Sequence, residues 1–256
     1  MDLALRAVGW MVFTFGGPAL ALGVRARWGR PAAWLGLGAL TWGGAQALRL
    51  PLLMALSAGF RWFGWPAPPQ PFLFNLIVLS LSAGLFEETA RWLGMRWAAR
   101  RQAREGRELE ARDAVVIGLA HGGTEAFALG LAGWLTFLAM AMMREGLLPT
   151  PPAAAPALAA YWATPAWMVG VGILERAMAI LLHAGLALIL WHGVRRRQGM
   201  LWAAAVLLHA GANGTAGYAL ARWGVWAAEG AVALWTLPMA IGIARALRRP
   251  APPPPR

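Results

Sequence analysis

The chain has 256 residues, of which 59% are hydrophobic and only 13% charged, a composition typical of a polytopic membrane protein rather than a soluble domain. Its formal net charge of +12 comes from arginines clustered between long apolar segments, which favours contact with membrane lipid and argues against nucleic-acid binding. The absence of cysteine excludes disulfides, thiolate zinc sites and cysteine nucleophiles.

Seven apolar segments are long enough to cross a hydrocarbon core as helices, which takes about 20 residues. They lie at residues 4–24, 32–59, 71–93, 114–142, 166–192, 200–220 and 224–244. The second contains Arg49 and Pro51, which could break it into a span and an interfacial piece. We therefore predict an all-α fold, a polytopic transmembrane helix bundle of about seven spans. It forms a single domain over residues 1–249, followed by a proline-rich tail at 250–256.

Arginine clusters indicate how the bundle is oriented. They occur in alternate connections, at residues 25–30, 96–112, 195–197 and 245–256, whereas the other connections carry few arginines. Because cytoplasmic loops are enriched in arginine, this pattern predicts an N-terminus outside and a C-terminus in the cytoplasm. The expected location is a bacterial plasma membrane, with the chain as an integral membrane protein.

Ionisable residues interrupt several of the predicted spans. At membrane depth each costs at least ~2.5–3.5 kcal/mol on insertion scales, so such residues are functional candidates. In chain order they are Glu87, Glu88 and Arg91, then His121 and Glu125, then Glu175, Arg176 and His183, then His209 with the polar Asn213, and finally Glu229. Glu229 stands alone near the outer end of the last span and is interpreted as a boundary residue.

Four of these residues are predicted to lie at one depth. With a helical rise of 1.5 Å per residue, Glu87, His121, His183 and His209 lie about 9–13 Å inside the cytoplasmic ends of their spans. The spans alternate in direction, yet their polar groups reach the same level. This coincidence predicts a shared polar site on four helices.

Three histidines beside a pair of carboxylates match the needs of metal-assisted hydrolysis. Neutral imidazoles bind Zn²⁺, a catalytic site keeps one position for water, and a nearby carboxylate removes the proton from that water. Glu87 and Glu88 point about 100° apart on a helix, so we expect one to face the water and the other to face the structure or Arg91. Arg91 with Glu88 could instead be a structural ion pair, and Glu175 with Arg176 could pair with another helix.

The ordered set of motifs resembles the YhfC family of intramembrane metalloproteases. The motifs are Glu87-Glu88-Thr-Ala-Arg91, His121-Gly-Gly-Thr-Glu125, Glu175-Arg176 with His183, and His209-Ala-Gly-Ala-Asn213. That family is distantly similar to CAAX prenyl endopeptidases and bacteriocin-immunity proteins, to PrsW proteases and to the Aph subunit of γ-secretase. The resemblance implies Glu87 or Glu88 as general base and His121 and His209 as metal ligands or oxyanion stabilisers, supported by Asn213.

The predicted function is that of a metal-dependent peptidase that cuts a membrane-associated peptide or protein near the cytoplasmic leaflet. The candidate catalytic residues are Glu87, Glu88, Arg91 and Asn213. The candidate ligands of the metal, expected to be Zn²⁺, are His121, His209, His183 and Glu125. Two alternatives stay open: a non-catalytic scaffold or immunity-type membrane protein that uses the polar cluster for helix cohesion, and a transporter of protons or metal ions.

Overall fold

The computed structural model describes residues 2–248 and contains eight α-helices. Their bounds are α1 Asp2–Arg27, α2 Ala33–Trp62, α3 Pro71–Arg104, α4 Ala111–Arg144, α5 Ala155–Ala163, α6 Met168–Arg196, α7 Met200–Trp223 and α8 Val225–Arg248. A single 3₁₀ turn, Pro152–Ala154, leads into α5, and residues 2–248 contain no β-strand. The predicted all-α class is confirmed for this part of the chain, and the proline-rich tail lies outside the described residues.

Each of the seven predicted apolar segments is found as a long helix. Five of them, α1, α3, α4, α6 and α8, are long and apolar enough to cross a membrane. Among the described helices, α2 and α7 fall short of that measure, although both exceed 20 residues. Polar side chains inside them, such as Gln46 and His209, lower their hydropathy. The span count of seven and the orientation of the termini therefore stay predictions.

The second helix is continuous, and the expectation that it could break near Pro51 is wrong. α2 runs without interruption from Ala33 to Trp62, although proline lacks the N–H of a normal helical residue. Arg49 explains part of this continuity, because its guanidinium donates to Ser82 Oγ and to the Leu79 carbonyl on α3, both at 3.0 Å. Packing against a neighbouring helix thus outweighs the local cost of proline.

The helices that carry the predicted site form the centre of the bundle. α4 packs against α1, α2 and α6, whereas α3 packs against α2, α6 and α7, and α8 covers α6 and α7. Among the five candidate spans, α6 is the most enclosed. Half of the residues in its 18-residue apolar stretch are buried, against 28% or less in the other four. The site residues of α3, α4 and α6 therefore face protein rather than lipid.

Glycines permit the close helix crossings around this centre. A Cβ on Gly118 of α4 would lie 2.7 Å from Ala184 Cα and from the His183 carbonyl oxygen on α6. A Cβ on Gly84 of α3 would lie 2.5 Å from the Val206 carbonyl oxygen on α7. These distances are too short for real contacts, so both crossings require a residue without a Cβ.

We expect Gly118→Ala to destabilise the bundle by about 1–3 kcal/mol, because the added methyl group meets backbone atoms that cannot move aside. Gly43→Ala on α2 is the matched control, since a Cβ there has nothing within 4 Å. Removing a helical glycine at that open position should instead stabilise by about 0.5–1 kcal/mol. Thermal unfolding in detergent measures both, and a Gly118→Ala variant as stable as the wild type would contradict the packing described.

Candidate metal centre

A buried polar cluster lies where the four site helices meet. Its central members are each at most 3% exposed. They are Glu87, Glu88 and Arg91 on α3, His121 on α4, His183 on α6 and His209 on α7. Glu125 of α4 borders the cluster, with its side chain 22% exposed. The structure thus brings together Glu87, His121, His183 and His209, the four residues that their depth predicted to meet, and adds Glu88 and Arg91.

Glu88 is the glutamate that pairs with the buried arginine. Arg91 Nη1 lies 2.6 Å from Glu88 Oε1 and 2.5 Å from Oε2, and both side chains are fully buried. Glu88 Oε1 is also 2.8 Å from His209 Nδ1. Both oxygens of Glu88 are therefore engaged, and the structural ion pair considered from the sequence is the arrangement observed. Glu87 makes no ion pair with Arg91, although the two residues are four apart on α3.

Glu87 faces the histidines. Gln46 of α2 donates from Nε2 to Glu87 Oε1 at 2.9 Å. The other oxygen, Oε2, lies 3.2 Å from His121 Nε2 and 3.9 Å from His209 Nε2. The two adjacent glutamates of α3 therefore differ in environment, because the Glu87 carboxylate lies beside two imidazoles and the Glu88 carboxylate is paired with an arginine.

The partners of His209 assign its tautomer. The Glu88 carboxylate, held ionised by Arg91, can only accept a hydrogen bond, so His209 Nδ1 carries the proton and donates it. His209 Nε2 then has a free lone pair on the side of Glu87. A carboxylate behind the imidazole is the arrangement that orients many histidine ligands of metals.

His121 is oriented in the same way by a hydroxyl group. Thr41 of α2 donates its proton to the Gly38 carbonyl at 2.8 Å, so its oxygen accepts from His121 Nδ1 at 2.9 Å. In a neutral ring that carries its proton on Nδ1, Nε2 has the lone pair available to a metal, and this atom lies 3.2 Å from Glu87 Oε2. The Nε2 atoms of His121 and His209 thus lie beside the same carboxylate oxygen, and imidazole nitrogens are ligands that fit a divalent cation such as Zn²⁺.

His183 uses both ring nitrogens within the protein. Arg91 Nη2, which can only donate, lies 2.9 Å from His183 Nδ1, and His183 Nε2 lies 2.7 Å from Glu125 Oε2. Glu125 also accepts from Arg176 Nη1 at 3.1 Å, and Arg176 contacts Glu175 as well. Arg176 therefore joins α6 to α4, as expected if Glu175 and Arg176 pair with another helix, and Glu175 contacts Arg176 within α6.

Distance alone selects a different donor set among the described residues, one that contains His183 and not His121. Glu87, His183 and His209 each offer one donor atom within 4.8 Å of the others. The His183 ring centroid also lies 5.1 Å from that of His121 and 5.2 Å from that of His209. The nitrogens of His183 contact Arg91 and Glu125, whereas Nε2 of His121 contacts only Glu87, which is itself at the candidate site. We therefore favour His121 and His209 as ligands and His183 as a neighbour that orients Arg91 and Glu125.

The charges of the cluster also fit a cation. Among the described residues, Glu88 pairs with Arg91 and Glu125 pairs with Arg176, whereas Glu87 forms no ion pair with an arginine. An ionised carboxylate at this depth is stable only when a positive charge compensates it. Glu87 is therefore the carboxylate of the cluster that no arginine neutralises.

The surroundings of two residues, Asn213 and Glu229, differ from what the sequence predicted. Asn213 is exposed on α7, and its side chain makes no hydrogen bond to any residue between 2 and 248. The partner of His209 is Glu88, not the asparagine one turn away. Glu229, interpreted as a boundary residue, is only 8% exposed, and its Oε2 has no hydrogen-bond partner among the described residues.

The contribution of α2 to the site was not predicted from the sequence. Thr41 holds His121 and Gln46 holds Glu87, yet neither residue was singled out. The available signal was weak: two neutral polar side chains within an apolar span that also carries Arg49. Neutral polar residues are common in membrane helices, so only the packing of α2 against α3 and α4 identifies these two.

Comparison with known families agrees with this geometry. The family model of the YhfC intramembrane metalloprotease matches residues 13–235, a range that includes every residue of the cluster. Searches of curated proteins and of solved structures found no significant match to the chain. The match confirms the resemblance stated from the sequence motifs. The chain belongs to the YhfC intramembrane metalloprotease family.

Proposed function

We propose that the protein is a membrane-embedded, metal-dependent peptidase that hydrolyses a peptide bond of a membrane-associated substrate near the cytoplasmic leaflet. The observation that carries this proposal is the Glu87 carboxylate, which faces Nε2 of His121 and of His209 at 3.2 and 3.9 Å. Membership of a metalloprotease family supports it. The plasma membrane of a bacterium is the proposed location.

His121 and His209 would hold the metal through Nε2, with Thr41 and Glu88 fixing the tautomer of each ring. When bound, Zn²⁺ supplies Lewis-acid polarisation of the scissile carbonyl and lowers the pKa of a coordinated water. The proposed ligands come from different helices, α4 and α7, so metal binding would also join distant parts of the chain.

Glu87 would act as the general base. Gln46 occupies Oε1, so Oε2 is the oxygen free to take a proton from the attacking water and to return it to the leaving amine nitrogen. Glu88 is unsuited to this role because both of its oxygens lie within 2.6 Å of Arg91 Nη1. Arg91 and His183 would position the site, since Arg91 contacts both Glu88 and His183.

A non-catalytic scaffold is the second candidate, and the ion-pair network favours it. Arg91, His183, Glu125 and Arg176 connect α3, α4 and α6 through direct hydrogen bonds that involve no metal. A protein that uses the cluster only for helix cohesion needs these contacts and nothing more. Metal content separates the two candidates.

We expect detergent-purified wild-type protein to contain about one zinc ion per chain by elemental analysis. His121→Ala and His209→Ala should lose the metal, because each removes a proposed ligand. Glu87→Gln should keep most of the metal and lose cleavage of a dye-labelled casein, because an amide cannot accept the proton of water. His192→Ala is the matched control, since His192 bonds the Leu188 carbonyl outside the cluster.

Several results would contradict this assignment. Casein cleavage by Glu87→Gln would remove Glu87 as the base, and metal retained in His121→Ala but lost in His183→Ala would exchange the roles of those histidines. A wild-type protein with neither metal nor hydrolysis would favour the scaffold.

We expect Glu88→Gln to destabilise the protein by about 3–5 kcal/mol, because it leaves the Arg91 charge buried without its partner. Glu88→Gln combined with Arg91→Met should cost less than the sum of the single changes, since the double variant buries no unpaired charge. Unfolding in detergent micelles measures both effects.

The matched control for this ion pair is Arg101→Gln. Arg101 and Glu105 form an ion pair at 3.4 Å with side chains 49% and 38% exposed. Its loss should change stability by less than about 1 kcal/mol, because solvent screens exposed charges. Equal effects at the buried and the exposed pair would argue against a framework role for Glu88.

A further inference from the structure

We infer that Gln46 and Arg49 of α2 are positioning residues that fix the orientation of the Glu87 carboxylate. The inference rests on the proposed function, in which Glu87 Oε2 is the reacting oxygen. Among the described residues, neither forms a hydrogen bond to a histidine or to Glu87 Oε2. Both act through Glu87, and the hydrogen bonds that connect them run in one direction only.

The direction follows from the guanidinium of Arg49. Arg49 Nη1 lies 3.2 Å from Gln46 Oε1, and a guanidinium can only donate hydrogen bonds. The amide oxygen of Gln46 must therefore face Arg49, so its Nε2 must face Glu87. Gln46 Nε2 then donates to Glu87 Oε1 at 2.9 Å. Arg49 thus removes the alternative amide rotamer, in which oxygen would face the carboxylate and repel it.

Arg49 is itself anchored to the helix that carries Glu87. Its Nε donates to Ser82 Oγ and its Nη2 donates to the Leu79 carbonyl, each at 3.0 Å, and both acceptors lie on α3. Gln46 and Arg49 are three residues apart, so they project from the same face of α2. The contacts form a closed ring from α3 through Arg49 and Gln46 of α2 back to Glu87 on α3.

This ring explains why α2 has a charged residue inside a long apolar segment. An arginine at membrane depth is costly unless it is paired or hydrogen-bonded. Arg49 has hydrogen bonds from all three of its nitrogens, and one of them leads to the proposed base. Its loss would free the Gln46 amide to rotate and the Glu87 carboxylate to turn away from His121 and His209.

The test compares Gln46→Leu, Arg49→Met and Arg49→Lys in zinc-loaded protein, with Ser57→Ala as the control. Cleavage of dye-labelled casein gives kcat and KM. Gln46→Leu and Arg49→Met should lower kcat by about 10–100-fold at unchanged KM, as is usual when a residue behind a metal-site group is lost. Arg49→Lys should recover part of kcat because an ammonium can still donate to Gln46 Oε1. Ser57→Ala should resemble the wild type, because Ser57 is exposed on the same helix and takes no part in the ring.

Non-additivity distinguishes positioning from general stabilisation. Adding Arg49→Met to Gln46→Leu should lower kcat no further, because Arg49 acts only through Gln46. Two independent reductions that multiply, or a fall in stability with kcat unchanged, would overturn the inference.

A second measurement does not depend on activity. In metal-free protein, thermal unfolding of Gln46→Leu, Glu87→Leu and the double variant should deviate from additivity by about 2–4 °C, the shift typical of one direct interaction in a chain of this size. If wild-type protein cleaves no casein and binds no metal, the proposed function fails. The comparison of the two single variants with the double variant then decides by itself whether Gln46 and Glu87 interact. Additive shifts in the unfolding temperature would then overturn the link between Gln46 and Glu87.

Discussion

The buried ion pair between Glu88 and Arg91 is the interaction on which the rest of the centre depends. Both side chains are fully buried, and a charge at this depth is tolerated only with a partner in close contact. Arg91 satisfies Glu88 and also donates to His183, while Glu88 accepts from His209. One pair on α3 therefore sets the orientation of histidines on α6 and α7.

The same pair gives the two neighbouring glutamates different chemistry. Because Arg91 neutralises Glu88, the carboxylate of Glu87 is left to a hydrogen bond from Gln46 and to the unprotonated nitrogens of two imidazoles. A carboxylate with one oxygen held and the other free beside metal-binding nitrogens combines the requirements of a base and of a cation site. The proposed peptidase mechanism uses this asymmetry, and the scaffold alternative has no need of it.

Much of the centre could be predicted from the sequence because charged and imidazole groups are rare in membrane spans. Glu87, Glu88, His121, His183 and His209 stood out for that reason, and the helical rise brought them to one depth. Thr41 and Gln46 did not stand out, since neutral polar residues carry a small cost in a helix. Asn213 was included because it closes the motif that begins at His209, but a motif on one helix does not decide which neighbouring helix covers that face.

By itself the sequence determined the helical class, the approximate helix positions and the set of ionisable groups at membrane depth. These follow from local quantities: apolar length, helical rise and the cost of burying charge. Only the tertiary structure decided that Arg91 pairs with Glu88 rather than Glu87, that α2 supplies Thr41 and Gln46, and that His183 has both nitrogens engaged. The physical reason is that hydrogen-bond partners come from other helices, whose rotation and contact are set by packing across the whole bundle.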